Sequence, residues 1–464
     1  MKTILLVIDN PSRDLQGLVL LAWMLVRDYQ YRPVLVGTRD EIPGLIRHKP
    51  DLILLPHIRY ERHREILTVA RSQNTKIAIL PVEGLPIGPL VRNDEILDYH
   101  SLFLKSVIGL DELHEYVDLM LAWGFEVKTI CAANNYLETA RIEVTGCPRM
   151  DFLAADFEMS GVKRKEFCEI HNLSPTAPTV GWFASTAYAH QSDFDQWAAE
   201  LYSSGSGRGL RGVVDMAKLG RVHQEVFDRM TRWFETLAND YPDVNFFVKP
   251  HPQEPIDNYQ RKLSKIPNIA IVPTKVPSTE LIRLTDIQIN WRCTTSSESW
   301  LQNVNRPVIS VEPLELTGSQ LEHIAVEFSI GNDIASTYHE LHKQVGKYLN
   351  GETVTSGLIE KRQVFIEKYF RSSDGCSTTK VAQVLDEFLF TQESHPRGCS
   401  AYKEITKQVY RIVKAGQIHR LGIGKNRKVE GQIRFDSKDV YRIIDNLNKS
   451  FNSKVKREKI ILFP

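Results

Sequence analysis

The 464 residues exceed the size at which one hydrophobic core keeps growing, so two domains and an appendage are expected. A content of 42% hydrophobic and 25% charged residues is that of a soluble globular protein, and no apolar stretch reaches the roughly 20 residues of a membrane-spanning helix. The net charge of +1 hides an asymmetry: residues 401–464 carry 16 Lys or Arg against 6 Asp or Glu, a basic tail on a mildly acidic body.

In chain order, Thr3–Ile8 is an apolar run ended by Asp9. It is too short for a signal peptide and no small-residue cleavage site follows, so it reads as a buried strand and export is not expected. Leu15–Val26, broken by Gln16 and Gly17, reads as a buried helix. Strand-like runs follow at Pro33–Val36, Leu52–Leu55, Ile77–Leu80 and Leu119–Ala122, and the Val144-Thr145-Gly146 segment completes the first half. This alternation with helix-length segments predicts an α/β fold built on parallel strands.

A polar connector at 161–178, ending Leu173-Ser174-Pro175-Thr176-Ala177-Pro178, divides a domain over 1–160 from a second over 179–395. The second half repeats the pattern at Thr179–Phe183, Asn245–Val248, Ile269–Val272, Ile287–Ile289 and Pro307–Val311, with an amphipathic helix over Val222–Leu237. The segment Ser203-Ser204-Gly205-Ser206-Gly207-Arg208-Gly209 lacks the Gly-Lys-Ser/Thr ending of a phosphate loop and reads as a surface loop. Residues 396–464 form a basic extension in which Ile405, Val409, Ile412 and Val413 recur at helical spacing. The six cysteines, Cys131, Cys147, Cys168, Cys293, Cys376 and Cys399, contain no Cys-x-x-Cys pair. That pattern argues for free thiols in a reducing, cytoplasmic compartment and against a structural zinc site.

Two segments carry chemistry. After the strand Asn245–Val248 comes Lys249-Pro250-His251-Pro252, in which two prolines fix the backbone around a histidine at the carboxyl edge of a sheet. An imidazole there can donate to a phosphate oxygen, and Lys249 adds charge. Some 40 residues on, Thr294-Thr295-Ser296-Ser297-Glu298 reads as a helix amino-terminus, whose N–H groups and dipole bind phosphate. Ser185 and Thr186, after the strand Thr179–Phe183, stand where they could touch the same phosphate, and Glu254 or Glu298 could accept from a ribose hydroxyl.

Taken together with Arg306-Pro307-Val308-Ile309, these motifs resemble the donor half of glycosyltransferase-B enzymes that build bacterial surface polysaccharides. More narrowly, they are similar to transferases of CMP-activated acidic sugars: sialic acid, other nonulosonic acids and Kdo. The resemblance implies two Rossmann-like domains facing a cleft, with the acceptor bound by the first and the CMP-sugar donor by the second. It implies that His251 contacts the CMP phosphate and that Ser296 and Ser297 complete its cradle. Val144-Thr145-Gly146-Cys147-Pro148-Arg149-Met150-Asp151 is similar to the Thr-Gly-x-Pro-Arg-x-Asp segment that ends the amino-terminal domain of that group. Gly146 and Pro148 would serve backbone geometry at the cleft, beside Arg149 and Asp151.

By the same resemblance, Glu83 of Glu83-Gly84 is the general base that takes the acceptor proton, with Asp9 and Asp151 as rivals. No Asp-x-Asp metal motif is recognised, so neither metal nor cofactor is expected. The expected partners are the CMP-sugar, a glycan or lipid-linked glycan acceptor and, through the basic tail, an anionic membrane surface at the inner face; nucleic acid is not expected. Competing readings are a CDP-glycerol or CDP-ribitol polyol-phosphate transferase, a sugar-nucleotide epimerase, and a non-catalytic glycan-assembly partner.

Overall fold

The computed structural model of the chain describes residues 1–60, 62–82, 91–92, 95–96, 111–133, 137, 139–154, 163–203, 215–313, 327–391 and 435–462. They fall into two compact units. Unit 1 comprises Met1–Pro86, His100–Phe152 and Lys368–Pro464; unit 2 comprises Ile87–Tyr99 and Leu153–Glu367.

Unit 1 is built on seven strands: β1 (Thr3–Ile8), β2 (Arg32–Gly37), β3 (Leu52–Leu55), β4 (Lys76–Ile79), β5 (Leu119–Ala122), β6 (Arg141–Val144) and, from the far end of the chain, β13 (Ile461–Leu462). Their order is β13-β2-β1-β3-β4-β5-β6, and every pairing is parallel. All six residues of β1 are buried because helices cover both faces of a parallel sheet, which is why the sequence there is continuously apolar. The buried helix Pro11–Tyr29 starts on Asn10, whose side chain accepts from the Ser12 N–H, with Pro11 as the first helical residue.

Two later segments join this unit. The helix Ser377–Thr391 meets the first helix and sheet through Tyr31 donating to Asp386 and Lys2 donating to the Leu389 carbonyl. The helix Ser437–Ser450 buries Val440, Ile443, Ile444 and Leu447, while Trp23 donates to Asn448 at 3.0 Å and has its ring centre 5.2 Å from that of Phe451. Residues 435–462 are thus part of unit 1, a helix with one apolar face followed by a sheet strand, rather than part of a separate basic extension. The helix expected around Ile405–Val413 lies outside the described residues. Among the described residues no helix is long and apolar enough to cross a membrane.

Unit 2 carries β7 (Thr179–Phe183), β8 (Asn245–Lys249), β9 (Ile269–Ile271), β10 (Ile287–Asn290), β11 (Val308–Val311) and β12 (Asp333–Ala335), in the order β9-β8-β7-β10-β11-β12. These pairings are likewise all parallel. Its longest helix, Met216–Asp240, is capped by Asp215 accepting from the Lys218 N–H. Val222, Val226, Met230, Phe234 and Leu237 form its buried stripe, and Phe234 meets Trp182 and Phe246 of the sheet, each at 5.4 Å between ring centres. Burial of each such side chain contributes about 1.5–3 kcal/mol, so this stripe fixes the helix on the sheet.

Candidate functional site

Strands β8 and β10 both neighbour β7, so the two sequence motifs flank the end of the central strand. Ser185, just past β7, ties that end to β10 by donating its hydroxyl to the Trp291 carbonyl. Three strand ends therefore meet at the carboxyl edge of one parallel sheet, where open α/β folds bind ligands.

The His251 turn is set by a residue to which the sequence reading gave another task. Glu254, 4% exposed, accepts from the His251 N–H at 2.9 Å, the Thr186 hydroxyl at 2.7 Å and the Tyr259 hydroxyl at 2.5 Å. Its own N–H donates to the His251 carbonyl, closing the turn reciprocally. Burial pushes the Glu254 carboxyl up, and the hydrogen bonds from Tyr259 and Thr186 oppose that rise. The carboxylate expected at a ribose hydroxyl thus orders the histidine, and the Thr186 hydroxyl, expected at the phosphate, is buried as its donor. The signal was present as a Glu three residues after His251, the spacing of a reciprocal turn.

Lys249 is also turned inward. Only 6% exposed, its ammonium donates to the carbonyls of Thr274 at 2.8 Å and Pro250 at 3.3 Å, and burial pushes its pKa down to about 8. His251 is partly exposed, with Nδ1 accepting from the Gln253 N–H, and Pro252 is exposed.

The hydroxyl-rich segment forms the helix Thr295–Gln302, with Thr294 at the cap position but no side-chain cap bond. Ser296 and Ser297 are both 0% exposed, and their hydroxyls point into the protein. Ser296 accepts from Asn290 at 2.9 Å and Asn332 at 3.0 Å, while Ser297 donates to the Thr294 carbonyl. Thr295 accepts from Gln288, and Glu298 accepts from Ser278. What this end offers outward is the exposed Thr294 hydroxyl and the main chain at Thr295, since the Ser296 N–H already donates to the Cys293 carbonyl. Gln288 and Asn290, polar side chains inside a buried strand, were the readable sign of such a network, since buried amides require partners.

In unit 1 the Thr-Gly-x-Pro-Arg-x-Asp segment is structural. Gly146 has φ +81°, and a Cβ there would stand 2.3 Å from the Ser377 hydroxyl, so only glycine fits. Pro148 opens the short helix Pro148–Leu153, and the Arg149 guanidinium lies 5.3 Å over the Trp123 ring. Asp151, 2% exposed, accepts from the N–H groups of Ser377 at 2.9 Å and Thr378 at 2.6 Å, capping the helix that starts there. Burial raises its pKa and those hydrogen bonds lower it.

The carboxyl edge of this sheet holds a pocket whose lining includes Val7, Asp14, Leu54, Pro81, Val82 and Arg149. Asp9 stands at the end of β1 with one carboxylate oxygen 2.9 Å from Arg13 and the other 3.7 Å from His57 Nε2. Burial alone would raise its pKa, but His57 and then Arg13 hold it well below the usual carboxylate range. Glu83 and Gly84, assigned to catalysis by resemblance, lie outside the described residues; Pro81 and Val82 precede them, and Pro81 accepts from Trp123 Nε1 at 2.6 Å.

No family model matches this chain, and no curated protein does. Solved structures do. The wall teichoic acid polymerase TagF, in a histidine variant soaked with CDPG, is 14% identical with a TM-score of 0.54 over 85% of this chain and 90% of its own. UDP-GlcNAc 2-epimerase from Neisseria meningitidis bound to UDP-GlcNAc is 12% identical with a TM-score of 0.47, over 83% of this chain and 100% of its own. At these identities the likeness establishes architecture alone: the chain is an α/β protein with two Rossmann-like parallel sheets and a glycosyltransferase-B-like, two-domain fold.

Proposed function

We propose that this chain is a transferase that moves a polyol phosphate from a CDP-alditol, such as CDP-glycerol, to a hydroxyl of a surface-polymer acceptor. The carrying observation is the His251 turn, locked by Glu254 beside the amino-terminal end of the Thr295–Gln302 helix at one sheet edge. Likeness to TagF supports the alditol donor over the CMP-activated acidic sugar that the motifs first suggested.

In this reading the acceptor oxygen attacks the phosphorus that bears the alditol. The bond from that phosphorus to the bridging oxygen breaks, and CMP leaves with the electron pair. The acceptor proton passes to a carboxylate, the role that the resemblance gives Glu83. Negative charge grows on the departing phosphate, where an imidazole N–H and helix N–H groups are worth most because they are already oriented. His251 takes the first task and the main chain at Thr295 the second. The Ser296 and Ser297 hydroxyls keep that end rigid through Asn290, Asn332 and Thr294.

The test is transfer to a glycerol-phosphate-primed lipid acceptor, read by mass. Gain of one glycerol phosphate with CMP release, lost in His251→Ala, supports the proposal. Gain of a sugar from CMP-sialic acid would return the reaction to the acidic-sugar class. Turnover of UDP-N-acetylglucosamine without acceptor would mark an epimerase, and no turnover of any donor a non-catalytic partner.

A further inference from the structure

Among the described residues at the donor edge, buried polar atoms without a hydrogen bond include His223 Nδ1 and Trp291 Nε1, with Asn290 Oδ1 at the end of β10 a third. His223 is 7% exposed and Trp291 2%. They come from different elements, His223 from the Met216–Asp240 helix and Trp291 from the residue after β10, yet their rings meet edge to face at 5.1 Å. Tyr188 lies 5.0 Å from the His223 ring on another side. The Trp291 backbone is fixed by Ser185, so the indole is anchored as well as buried.

An unsatisfied buried polar atom costs free energy, and two on neighbouring rings at a ligand edge gain from a bound group that supplies the missing partners. Their chemistry is complementary. The indole N–H can only donate. A neutral imidazole presents one nitrogen as donor and the other as acceptor, and with its proton on Nε2 the ring offers Nδ1 as a lone pair. Burial, and next the neighbouring His251, push the His223 pKa down to about 3, so the ring is neutral at physiological pH. A donor and an acceptor on two neighbouring rings match a group that both accepts and donates, which a phosphate dianion or a carboxylate does not.

We propose that His223 and Trp291 together bind a hydroxyl of the group carried on the donor phosphate, its oxygen accepting from Trp291 Nε1–H and its proton donated to His223 Nδ1. The inference rests on reading this edge as the donor site and adds that the site recognises the hydroxylated cargo, alditol or sugar, apart from the nucleotide. His251 holds the phosphate; His223 and Trp291 select what the phosphate carries.

Calorimetry on the full chain tests this with three ligand pairs: CDP-glycerol against CDP, CMP-sialic acid against CMP, and UDP-N-acetylglucosamine against UDP. Trp291→Phe keeps an aromatic ring and removes the N–H, and His223→Phe keeps the shape and removes both nitrogens. For the pair that binds, each variant is expected to weaken the cargo-bearing ligand roughly fivefold to tenfold while the parent nucleotide stays within about twofold. Equal weakening of both members, or no change in either, overturns the inference and leaves the donor site standing, the two atoms then holding only water. A folded wild-type chain that binds none of the six ligands overturns both the donor-site reading and this inference.

Discussion

Glu254 can be tested as a scaffold rather than a ligand contact. Glu254→Ala removes the acceptor of three donors, His251 N–H, Thr186 hydroxyl and Tyr259 hydroxyl, from a position that is 4% exposed. Each buried donor left unsatisfied costs about 1–3 kcal/mol, and relief of a carboxylate whose ionised form burial disfavours offsets part of that. The net loss is about 3–5 kcal/mol, or roughly 6–20 °C in the Tm of a unit of this size. Glu254→Gln is the control. Its carbonyl can accept from His251 and Tyr259 while its amide donates to the Thr186 oxygen, so its cost stays at about 1 kcal/mol. The assay is thermal unfolding alongside the Kd for CDP. If Glu254→Gln unfolds like wild type yet binds CDP tenfold or more weakly, the carboxylate touches the ligand and the scaffold argument fails.

Gly146→Ala is expected to destabilise unit 1 by about 2–5 kcal/mol, from a positive φ and a Cβ driven into Ser377, measured by urea unfolding; a change below about 0.5 kcal/mol would contradict the geometry. Lys249 has a folded-state pKa of about 8 against 10.5 for the free side chain, so the unfolded chain binds more protons between those values. Stability of unit 2 should therefore gain a rising contribution as pH goes from 8 to 10.5, absent in Lys249→Met, as read from urea midpoints across that range. Asp9, held low by His57 and Arg13, works in the opposite window: its stabilisation is present above the ordinary carboxylate pKa and is lost as pH falls below it. Asp9→Asn should lower the stability of unit 1 at about pH 7 and converge with wild type in acid, as followed by urea midpoints at each pH.

The sheets were legible because parallel strands buried on both faces read as short continuous apolar runs. Thr3–Ile8, Leu52–Leu55, Leu119–Ala122 and Thr179–Phe183 fall where the runs do. Strands not foreseen include Asp333–Ala335, at a sheet edge, and Ile461–Leu462, too short to display any period. The site was legible as location but not as orientation. Lys249 and Ser296 look outward in a motif and are inward in space, because side-chain direction depends on partners such as Thr274 and Asn332 brought from elsewhere in the chain. His223 was submerged in an amphipathic stretch, where one histidine among apolar neighbours has no distinguishing spacing.

The pairing of β13 with β2 has a consequence for how the protein is made. Unit 1 is begun by strands synthesised ahead of unit 2, but its sheet edge and the cover of Trp23 arrive only with residues 435–462. At about 5–20 residues per second, the interval after Ala154 is roughly 15–60 s. During that time unit 2, nearly contiguous in sequence, can finish first, so the two units mature in the reverse of their order of synthesis. The nascent chain meanwhile presents an open β2 edge and the uncovered indole, the kind of surface that holding chaperones recognise. A chain released before residue 435 would carry a completed unit 2 and an adhesive, unfinished unit 1.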